Sequence, residues 1–485
     1  MIAPAVYRAL FGGAVVVLGC FLALSVVAGP VDVVTEDGPV VSDGGPTTNG
    51  PDVSDDSVIV MTGQTFGDRP GDALMTFRTG LAENTRSIAP DDLRYYNNSY
   101  DEYHDVDPVP GTRMTVLYVA ATHLSPSECE ATRPCTRNVI ERLNMTTDTV
   151  TRLHSVIQPR EEGNDVHDVD RISKDELLVA DTINDRVYVL NTTTKLITWE
   201  WDAKSAYPVS GGGPFPTDWT HLNDVEYLPD RGENGWIMVS LRNQDQVVFV
   251  DRERGLVENW TLGNEDDYDI LYEQHNPDYI PRENGGPAVL VADSQNNRIV
   301  EYQRVDGEWK RTWTYRHLDW PRDADRLPNG HTLVVDSNGG RLLEVNENGR
   351  PVWSTLVPYD RDAMYDAEIF RTGDESSGGP SAVSINLSAG GSDGLGRSRE
   401  AAGERAGDPG PVAVILHAVD GLARAVLPSR LRNTLLFVLP VQLTPSELLA
   451  GGTLLGVLGV WATAELRWRS EVEITIQSPV RIRRK

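Results

Sequence analysis

Four segments of this chain can be laid over one another, and this internal repeat restricts the fold more than any other feature of the sequence. The segments start at Leu177, Trp236, Ala288 and His331. Each contains a β-branched run, a polar turn of Asn, Asp or Gly and a second apolar run, and a stretch with Trp follows. Short runs separated by turn residues are typical of β-hairpins. Four strands in a unit of about 45–60 residues predict an all-β fold, the β-propeller.

Six strand openings accompany these hairpins and predict a six-bladed propeller across residues 57–390. They occur at His104, His167, His221, His275, Arg322 and Tyr365. The sixth unit has only two inner strands, at Asp366–Arg371 and Ala382–Leu387. We expect its outer strands to come from the start of the domain, Val58–Thr62 and Ala73–Arg78, because that exchange closes the ring and removes free sheet edges.

The opening residues are the candidate functional residues, because the first residues of innermost strands point toward the axial channel. We therefore expect a cationic, imidazole-rich pocket on the axis. Arginine offers a planar fork for an oxyanion, and neutral histidine can act as a nucleophile or a general base. The catalytic candidates are His167, His221, His275 and Arg322, and the candidates for substrate binding are His104, Asn223 and Asn276.

Structural explanations of the same residues stay open. The imidazoles of the His-Asp pairs can tie neighbouring blades together through backbone carbonyls, and Arg322 can pair with Asp323 or Asp325. Three histidines can also bind a metal, but no His-x-x-x-His motif is present, so the sequence predicts neither a metal site nor a cofactor. Carboxylates that recur after a Val-rich strand are expected to cap turns. They are Asp181, Asp293 and Asp336.

The charge of the chain restricts its partners. The 485 residues include 72 acidic and 44 basic side chains, for a formal net charge of −28. A surface this acidic repels nucleic acid, so that class of partner is excluded. Self-repulsion on this scale is tolerated when salt screens it, which favours a surface adapted to high salt.

The cysteines indicate the compartment. Cys129 and Cys135 lie in one polar loop and predict a short disulfide, which fits an oxidising environment. Two unpaired thiols are the alternative. Cys20 lies apart from them in an apolar run.

Both ends of the chain are apolar, and we expect them to contact a membrane. Residues 1–31 contain an uncharged run of membrane-spanning length, which is either an anchor or a cleaved signal peptide. Residues 447–466 predict a second span, and the basic residues at 467–485 place the cytoplasm after it. The propeller is therefore expected outside the cell. Two flexible linkers and an amphipathic juxtamembrane segment account for the rest, at 32–56, 391–411 and 412–446.

Three motifs resemble the arylsulfotransferase family of the aryl-sulfate type, whose membrane-anchored members are typical of haloarchaea. They are Trp219-Thr-His-Leu-Asn-Asp-Val, Gln274-His-Asn-Pro and Trp320-Pro-Arg-Asp-Ala-Asp-Arg-Leu-Pro-Asn-Gly-His-Thr-Leu. The resemblance covers about residues 55–390. It implies a six-bladed propeller that transfers a sulfuryl group from a phenolic sulfate ester to another phenol, without a nucleotide sulfate donor.

The resemblance also assigns roles to residues. His221 and His275 correspond to family histidines, and Arg322 is the best match for the family's arginine. We expect His221 or His275 to attack sulfur, Arg322 to neutralise the sulfuryl oxygens and His167 to shuttle a proton. The family's covalent histidine lies later in the chain, where this sequence offers only His317 and His331, and neither is at an opening.

That departure keeps other functions open. The first alternative is a non-catalytic, membrane-anchored propeller that binds a protein or a small anionic ligand outside the cell, because a fold does not dictate a function. The second is a lyase or hydrolase with a metal in the ring. The sequence does not indicate an oligomeric state.

Overall fold

The structure, a computed structural model, describes the propeller and a few residues beyond it. The described ranges are 58–63, 73–78, 86–87, 93–130, 132–160, 166–316, 318–357, 364–373, 375–387, 431, 460–461, 472–475 and 481–484. The chain divides into two compact units, residues 36–404 and residues 1–35 with 405–485. The first unit is a six-bladed β-propeller, as the repeat predicts.

The strands of the propeller are short, and each blade is built from neighbouring antiparallel hairpins. The first strands of the chain are β1 (Val58–Gly63), β2 (Ala73–Arg78), β3 (Arg86–Ser87) and β4 (Leu93–Asn97). Blade 1 follows with β5 (Glu102–Pro108), β6 (Thr115–Leu124), β7 (Cys135–Asn144) and β8 (Thr149–Gln158). Blade 2 contains β9 (Val166–Arg171), β10 (Glu176–Asp181), β11 (Arg186–Asn191) and β12 (Ile197–Asp202).

The later blades repeat this order with local irregularities. Blade 3 has β13 (Leu222–Leu228), β14 (Trp236–Leu241), β15 (Gln246–Asp251), β16 (Gly255–Leu256) and β17 (Leu262–Gly263). Blade 4 has β18 (His275–Ile280), β19 (Ala288–Asp293), β20 (Arg298–Val305) and β21 (Glu308–Arg316). Blade 5 has β22 (Thr332–Asp336), β23 (Arg341–Val345) and β24 (Pro351–Leu356), and blade 6 begins with β25 (Met364–Ile369).

Blade 6 is completed from the start of the domain. Its strand order is β25-β1-β2-β4, so strands from the start of the domain close the ring as predicted, but they take the second and third places and the unpredicted β4 is outermost. The prediction of a strand at Ala382–Leu387 was wrong, because these residues form turns. The side chains of Ala382, Ile385 and Leu387 instead pack into the core shared by blades 4 and 5, and the Ala382 N–H donates to Glu301. A second exchange was not predicted: β3 pairs in parallel with β24 at the edge of blade 5.

Two repeats depart from the predicted strands. In blade 3 the segment around Trp260 is a 3₁₀ turn at Glu258–Trp260 and not a strand. The turn places the Trp260 indole against Trp236, Phe249 and Trp309. In blade 5 the inner segment makes only isolated bridges to β22, Asp323 with Val335 and Arg326 with Thr332.

The core consists of six apolar clusters within the described residues, one for each pair of neighbouring blades. Side chains alternate along each strand, so both faces of a blade contribute to these clusters. Val119 of blade 1 packs with Val169 and Val179 of blade 2, for example, and all three are fully buried. Each buried aliphatic side chain of this size stabilises the ring by about 1.5–3 kcal/mol.

A relay of carboxylates joins the inner strands around the channel. Asp105 of blade 1 accepts the Val169 N–H of blade 2 at 3.2 Å, and Asp366 of blade 6 accepts the Val106 N–H of blade 1 at 2.8 Å. Two more links of the same kind join Asp168 to the Val225 N–H and Asp323 to the Ala367 N–H. At His104, His167, Arg322 and Tyr365, the aspartate that follows the opening residue therefore ties neighbouring blades. In these four links the carboxylate makes the tie, through backbone amides, rather than the imidazole through carbonyls.

The relay has no link at the position of Asp224, where Glu226 of blade 3 instead accepts the Tyr279 N–H of blade 4 at 2.7 Å. The residue that faces Asp224 in this pattern is Pro277, which has no N–H to donate. Among the described residues the Asp224 Oδ1 atom is buried and has no hydrogen-bond partner. Burial first, and then neighbouring carboxylates led by Asp168, raise the pKa of Asp224 well above its usual value.

The turns after the second strands confirm the predicted capping carboxylates. Asp181 accepts from Asn184, and Asp293 accepts from Asn296. Each capping aspartate also pairs with the arginine five residues later: Asp181–Arg186 at 2.7 Å, Asp293–Arg298 at 2.5 Å and Asp336–Arg341 at 2.7 Å.

The structure also bears on the sequence predictions outside the blades. Cys129, in the loop between β6 and β7, forms a disulfide with Cys135, the first residue of β7, with Cα atoms 6.0 Å apart. Within the described part of the chain, no helix is long and apolar enough to cross a membrane. Apart from a few residues, the predicted spans, linkers and juxtamembrane segment lie outside that part and stay predictions. In the second unit, β26 (Val472–Thr475) and β27 (Arg481–Arg484) pair antiparallel within the predicted basic tail.

Two separate variants, each replacing one aspartate by alanine, test the relay. Asp168→Ala leaves the buried Val225 N–H without its acceptor, so we expect the free energy of unfolding to fall by about 1–3 kcal/mol. Asp224→Ala removes a carboxylate that accepts no such N–H, so it should leave stability unchanged or raise it. Chemical denaturation of both variants measures the difference. Equal losses at the two positions would contradict the relay.

Candidate active site

The opening side chains meet in one cluster. The rings of His104 and His167 stack, with centroids 4.6 Å apart and planes at 19°. His167 contacts His221 edge-on at 5.2 Å. The Tyr365 ring lies 5.1 Å from His104 and 6.4 Å from His275. The structure therefore brings together side chains from blades 1, 2, 3, 4 and 6, as the channel hypothesis requires.

Arg322, from blade 5, completes the ring. Its guanidinium carbon lies 5.2 Å from the Trp320 ring centroid and 5.2 Å from that of Tyr365. The Arg322 Nη1 group also donates to the Met364 carbonyl at 3.3 Å. Cation–π contacts of this kind hold a guanidinium in place when little water can reach it. Arg322 is 3% exposed, so it belongs to the interior of the cluster.

His221 is the imidazole of the cluster that solvent can reach. Its side chain is 21% exposed, whereas His104, His167 and His275 are buried. The His221 backbone has φ of 45°, in the left-handed region. A residue with a side chain adopts that conformation at a cost, and it persists where neighbouring contacts hold it.

Asp218 orients His221. The Asp218 Oδ1 atom lies 2.6 Å from His221 Nδ1. Burial would raise the pKa of Asp218, but the hydrogen bond and charge interaction with His221 lower it overall, so Asp218 is ionised and accepts. The proton of the neutral imidazole then lies on Nδ1, and Nε2 carries the free lone pair. Among the described residues, His221 Nε2 has no hydrogen-bond partner.

A similar argument fixes the tautomer of His275. The Ser294 hydroxyl donates to the Ala292 carbonyl at 3.2 Å. It must therefore accept from His275 Nδ1, which lies 2.8 Å away. A hydroxyl has one proton to donate, so His275 also presents an unprotonated Nε2.

The imidazoles of the cluster are neutral at neutral pH, which corrects the expectation of a cationic pocket. Burial is the largest cause in every case. It lowers the pKa of His104 to about 4, that of His221 below its usual value, and those of His167 and His275 well below their usual value. Neighbouring Arg322 and Arg242 add to the effect on His275. Arginine side chains, and not imidazolium ions, therefore carry the positive charge of the site.

The channel next to the histidines is narrow and acidic. His167, Asn223, Asn276 and Tyr365 line it together with the relay carboxylates and Asp224; the relay carboxylates are Asp105, Asp168, Asp323 and Asp366. The cavity has room for about one water molecule. An aromatic substrate does not fit there, so a ligand must approach from the rim where His221 is exposed. Among the described residues, no group of three or more His, Cys, Asp or Glu side chains is arranged to hold a metal ion.

The remaining candidates have definite positions. His104 is fully buried behind His167, with Nε2 3.7 Å from Glu102. Asn223 is buried and its amide donates to the Gln274 carbonyl, which ties blade 3 to blade 4. Asn276 is half-buried, with φ of 31°. His331 pairs with Glu344 and Glu347 at the opposite end of β22 from the cluster, and His317 lies outside the described residues.

Sequence reasoning missed three members of the site. Asp218 lies three residues before His221, a spacing too common to attract notice. Trp320 was quoted within a motif but was given no role, although it lies against Arg322. Arg242 follows β14, and the only signal for it in the sequence is that the other repeats have a Ser or Thr at this position.

Part of the chain matches a known family. Residues 138–315 match the family model of arylsulfotransferase (ASST). The match runs from β7 to β21 and so includes His167, His221 and His275, but neither His104 nor Arg322. No curated protein matches the chain.

Several solved structures are similar to the propeller. A streptogramin B lyase matches with a TM-score of 0.33 and 12% identity, over 53% of this chain and 70% of that chain. Regucalcin from Agrobacterium tumefaciens, described as a calcium-binding protein, matches with a TM-score of 0.35 and 13% identity, over 54% and 75%. Virginiamycin B lyase from Staphylococcus aureus matches with a TM-score of 0.30 and 10% identity, over 50% and 76%.

The neutral state of the cluster is measurable by nitrogen-15 NMR of histidine-labelled protein. At pH 6 the ring nitrogens of His104, His167 and His275 should show the shifts of neutral imidazole, whereas an unperturbed histidine, with a pKa near 6.5, is mostly protonated. His104 should titrate at about pH 4, if the fold persists there. Imidazolium signals from these three rings at pH 6 would show that the cluster is cationic after all.

Proposed function

We propose that this protein transfers a sulfuryl group from a phenolic sulfate ester to a phenol at the rim of the propeller channel. The arylsulfotransferase match supports the reaction class. One observation carries the assignment within this site: His221 is half-buried and open to solvent, its Nδ1 is held by Asp218 and its Nε2 is free. A positioned nucleophile with its orienting carboxylate is the arrangement that covalent catalysis needs.

The reaction is a double displacement. His221 Nε2 attacks the sulfur of the donor, the bond from sulfur to the aryl oxygen breaks, and the aryloxide leaves and takes up a proton from water. The sulfated imidazolium is balanced by the Asp218 carboxylate. In the second half, the acceptor phenol attacks sulfur and gives its proton to His167, and the bond from sulfur to His221 Nε2 breaks. His167 then passes the proton to water, so both histidines return to their starting state. One proton is taken up and one is released in each cycle.

The other cluster members support this step. His167 contacts His221 edge-on, and its Nδ1 atom has no hydrogen-bond partner among the described residues, so it can receive a proton. Arg322 is enclosed by two rings, so its charge acts mainly through space. Together with burial, that charge keeps the pKa of His275 low. His104 and Asn223 then hold the cluster together, and Asn276 borders the channel.

The sixth opening favours a second candidate function. The first five openings carry His or Arg, whereas the sixth carries Tyr365, and His331 is committed to ion pairs elsewhere. A propeller that binds a small anionic ligand without turning it over is consistent with that difference. The activity assay below separates the two functions.

We further propose that the propeller lies outside the cell, anchored by the apolar segments at 1–31 and 447–466, in an organism that lives in high salt. The disulfide between Cys129 and Cys135 and the net charge of −28 support this placement. Protease added to intact cells should cleave the propeller. Protection of the propeller under conditions that digest known surface proteins would contradict this.

Release of nitrophenol from 4-nitrophenyl sulfate, with phenol as acceptor in high salt, tests the reaction. His221→Ala should abolish release, because the nucleophile is lost. Asp218→Asn should lower kcat by about 10²-fold or more, because the imidazole loses the carboxylate that holds its tautomer and balances its charge. Both effects are measured on the full chain.

His331→Ala is the matched control, since that histidine pairs with Glu344 and Glu347 away from the cluster. It should retain the activity of the unchanged protein. Release by the unchanged protein no faster than by His221→Ala would reject sulfuryl transfer and leave the binding function.

A further inference from the structure

The third repeat breaks the pattern of the others at one channel-facing position. In blades 2, 4 and 5 the second strand ends in aspartate and is followed by Thr182, Ser294 or Ser337. Two of these hydroxyls serve the openings: Thr182 donates to the Leu222 carbonyl and Ser294 accepts from His275. In blade 3 the corresponding residues are Leu241 and Arg242. A guanidinium therefore replaces a small hydroxyl at the end of the strand nearest the histidines.

The turn that carries Arg242 is tied to both histidine loops. The Asn243 N–H donates to the Thr220 carbonyl at 2.9 Å, and the Asn243 amide donates to the Asp218 carbonyl at 2.7 Å. On the other side, Asp245 accepts the Glu273 N–H at 2.9 Å. These bonds fix the turn between the segment of His221 and the segment of His275. After burial, Arg242 is the largest cause of the lowered pKa of both histidines.

The Arg242 guanidinium is poorly satisfied where it stands. Its only ion pair among the described residues is with Glu273, at 3.6 Å, which is too long for a good hydrogen bond. The buried Nε atom has no hydrogen-bond partner in the same part of the chain. A guanidinium has five N–H donors that suit the oxygens of a planar or tetrahedral anion. Arg242 is 19% exposed, so a ligand at the rim can reach it.

The surroundings of Arg322 and Arg242 indicate which of the two arginines can contact a ligand. Arg322 is enclosed between Trp320 and Tyr365, whereas Arg242, like the half-buried His221, is open to solvent at the rim. We infer that Arg242 binds the terminal oxygens of the sulfate ester and that Glu273 beside it makes the site prefer a singly charged ester over a doubly charged one. This inference rests on the proposed function, because it assigns the anion contact of that same site.

The preference follows from charge. A sulfate monoester carries one negative charge, whereas a phosphate monoester carries nearly two at pH 7. Glu273 is held near Arg242 by its ion pair and by the Gln295 amide at 3.0 Å. Arg242 can neutralise one charge, and the second charge of a phosphate ester meets the carboxylates of Glu273 and Asp218. Like charges at this range, partly shielded from water, disfavour the phosphate ester.

Binding is measured by calorimetry on the full chain carrying His221→Ala, so that turnover does not interfere. The probes are 4-nitrophenyl sulfate and 4-nitrophenyl phosphate. Adding Arg242→Gln should weaken binding of the sulfate ester at least tenfold, and Arg242→Lys should restore part of the loss. Adding Glu273→Gln should strengthen binding of the phosphate ester about tenfold and change the sulfate ester by less than threefold. Arg254→Gln, which removes an exposed arginine from a loop after β15, is the matched control and should change neither.

In the enzyme with His221 intact, Arg242→Gln should raise KM for the sulfate ester more than it lowers kcat. The inference is overturned if Arg242→Gln binds the sulfate ester as tightly as Arg254→Gln does. It is also overturned if Glu273→Gln shifts both esters equally, or if neither ester binds. Binding that depends on Arg242 in a protein without turnover would reject sulfuryl transfer and leave this anion site standing.

Discussion

The carboxylate relay around the channel is the interaction on which the rest of the structure depends. Asp105, Asp168, Asp323 and Asp366 each accept a backbone N–H from the next blade, so the inner strands are bound to one another where the ring is narrowest. The apolar clusters between blades supply most of the burial, but apolar packing is not directional. The relay adds directional hydrogen bonds between four pairs of neighbouring inner strands, next to the opening side chains.

The chemistry of the site follows from that closure. The channel leaves no room for a substrate, and the histidines above its walls are packed ring against ring and deprived of water. Desolvation keeps them neutral, which is the form in which an imidazole attacks or accepts a proton. Of the four histidines, only His221 is open to solvent at the rim, with Asp218 hydrogen-bonded to it and Arg242 on a turn tied to its loop. A neutral nucleophile flanked by a fixed cation suits an anionic electrophile such as a sulfate ester.

The sequence predicted the six blades, their closure by the first strands of the domain and the meeting of the opening side chains, because each depends on a repeated local pattern. The predictions were less accurate where one repeat differs from the others. The stretch around Trp260 has the sequence of a strand but forms a turn that packs its indole against other aromatic rings. Residues Ala382–Leu387 form turns instead of the predicted strand. The charge state of the histidines could not be predicted from the sequence, because it depends on burial that only the closed ring creates. Arg242 could have been found by asking which repeat lacks the Asp-Ser/Thr pair after its second strand.

The most direct test of the central claim is to trap the covalent intermediate. The full chain is mixed with 4-nitrophenyl sulfate without acceptor, quenched in alkali to preserve the N–S bond, digested and mapped by mass spectrometry. The account predicts one added SO₃ group on His221, formed together with a burst of nitrophenol and absent from His221→Ala. An adduct on His275 or Tyr365 instead, or steady nitrophenol release without any adduct, would contradict it.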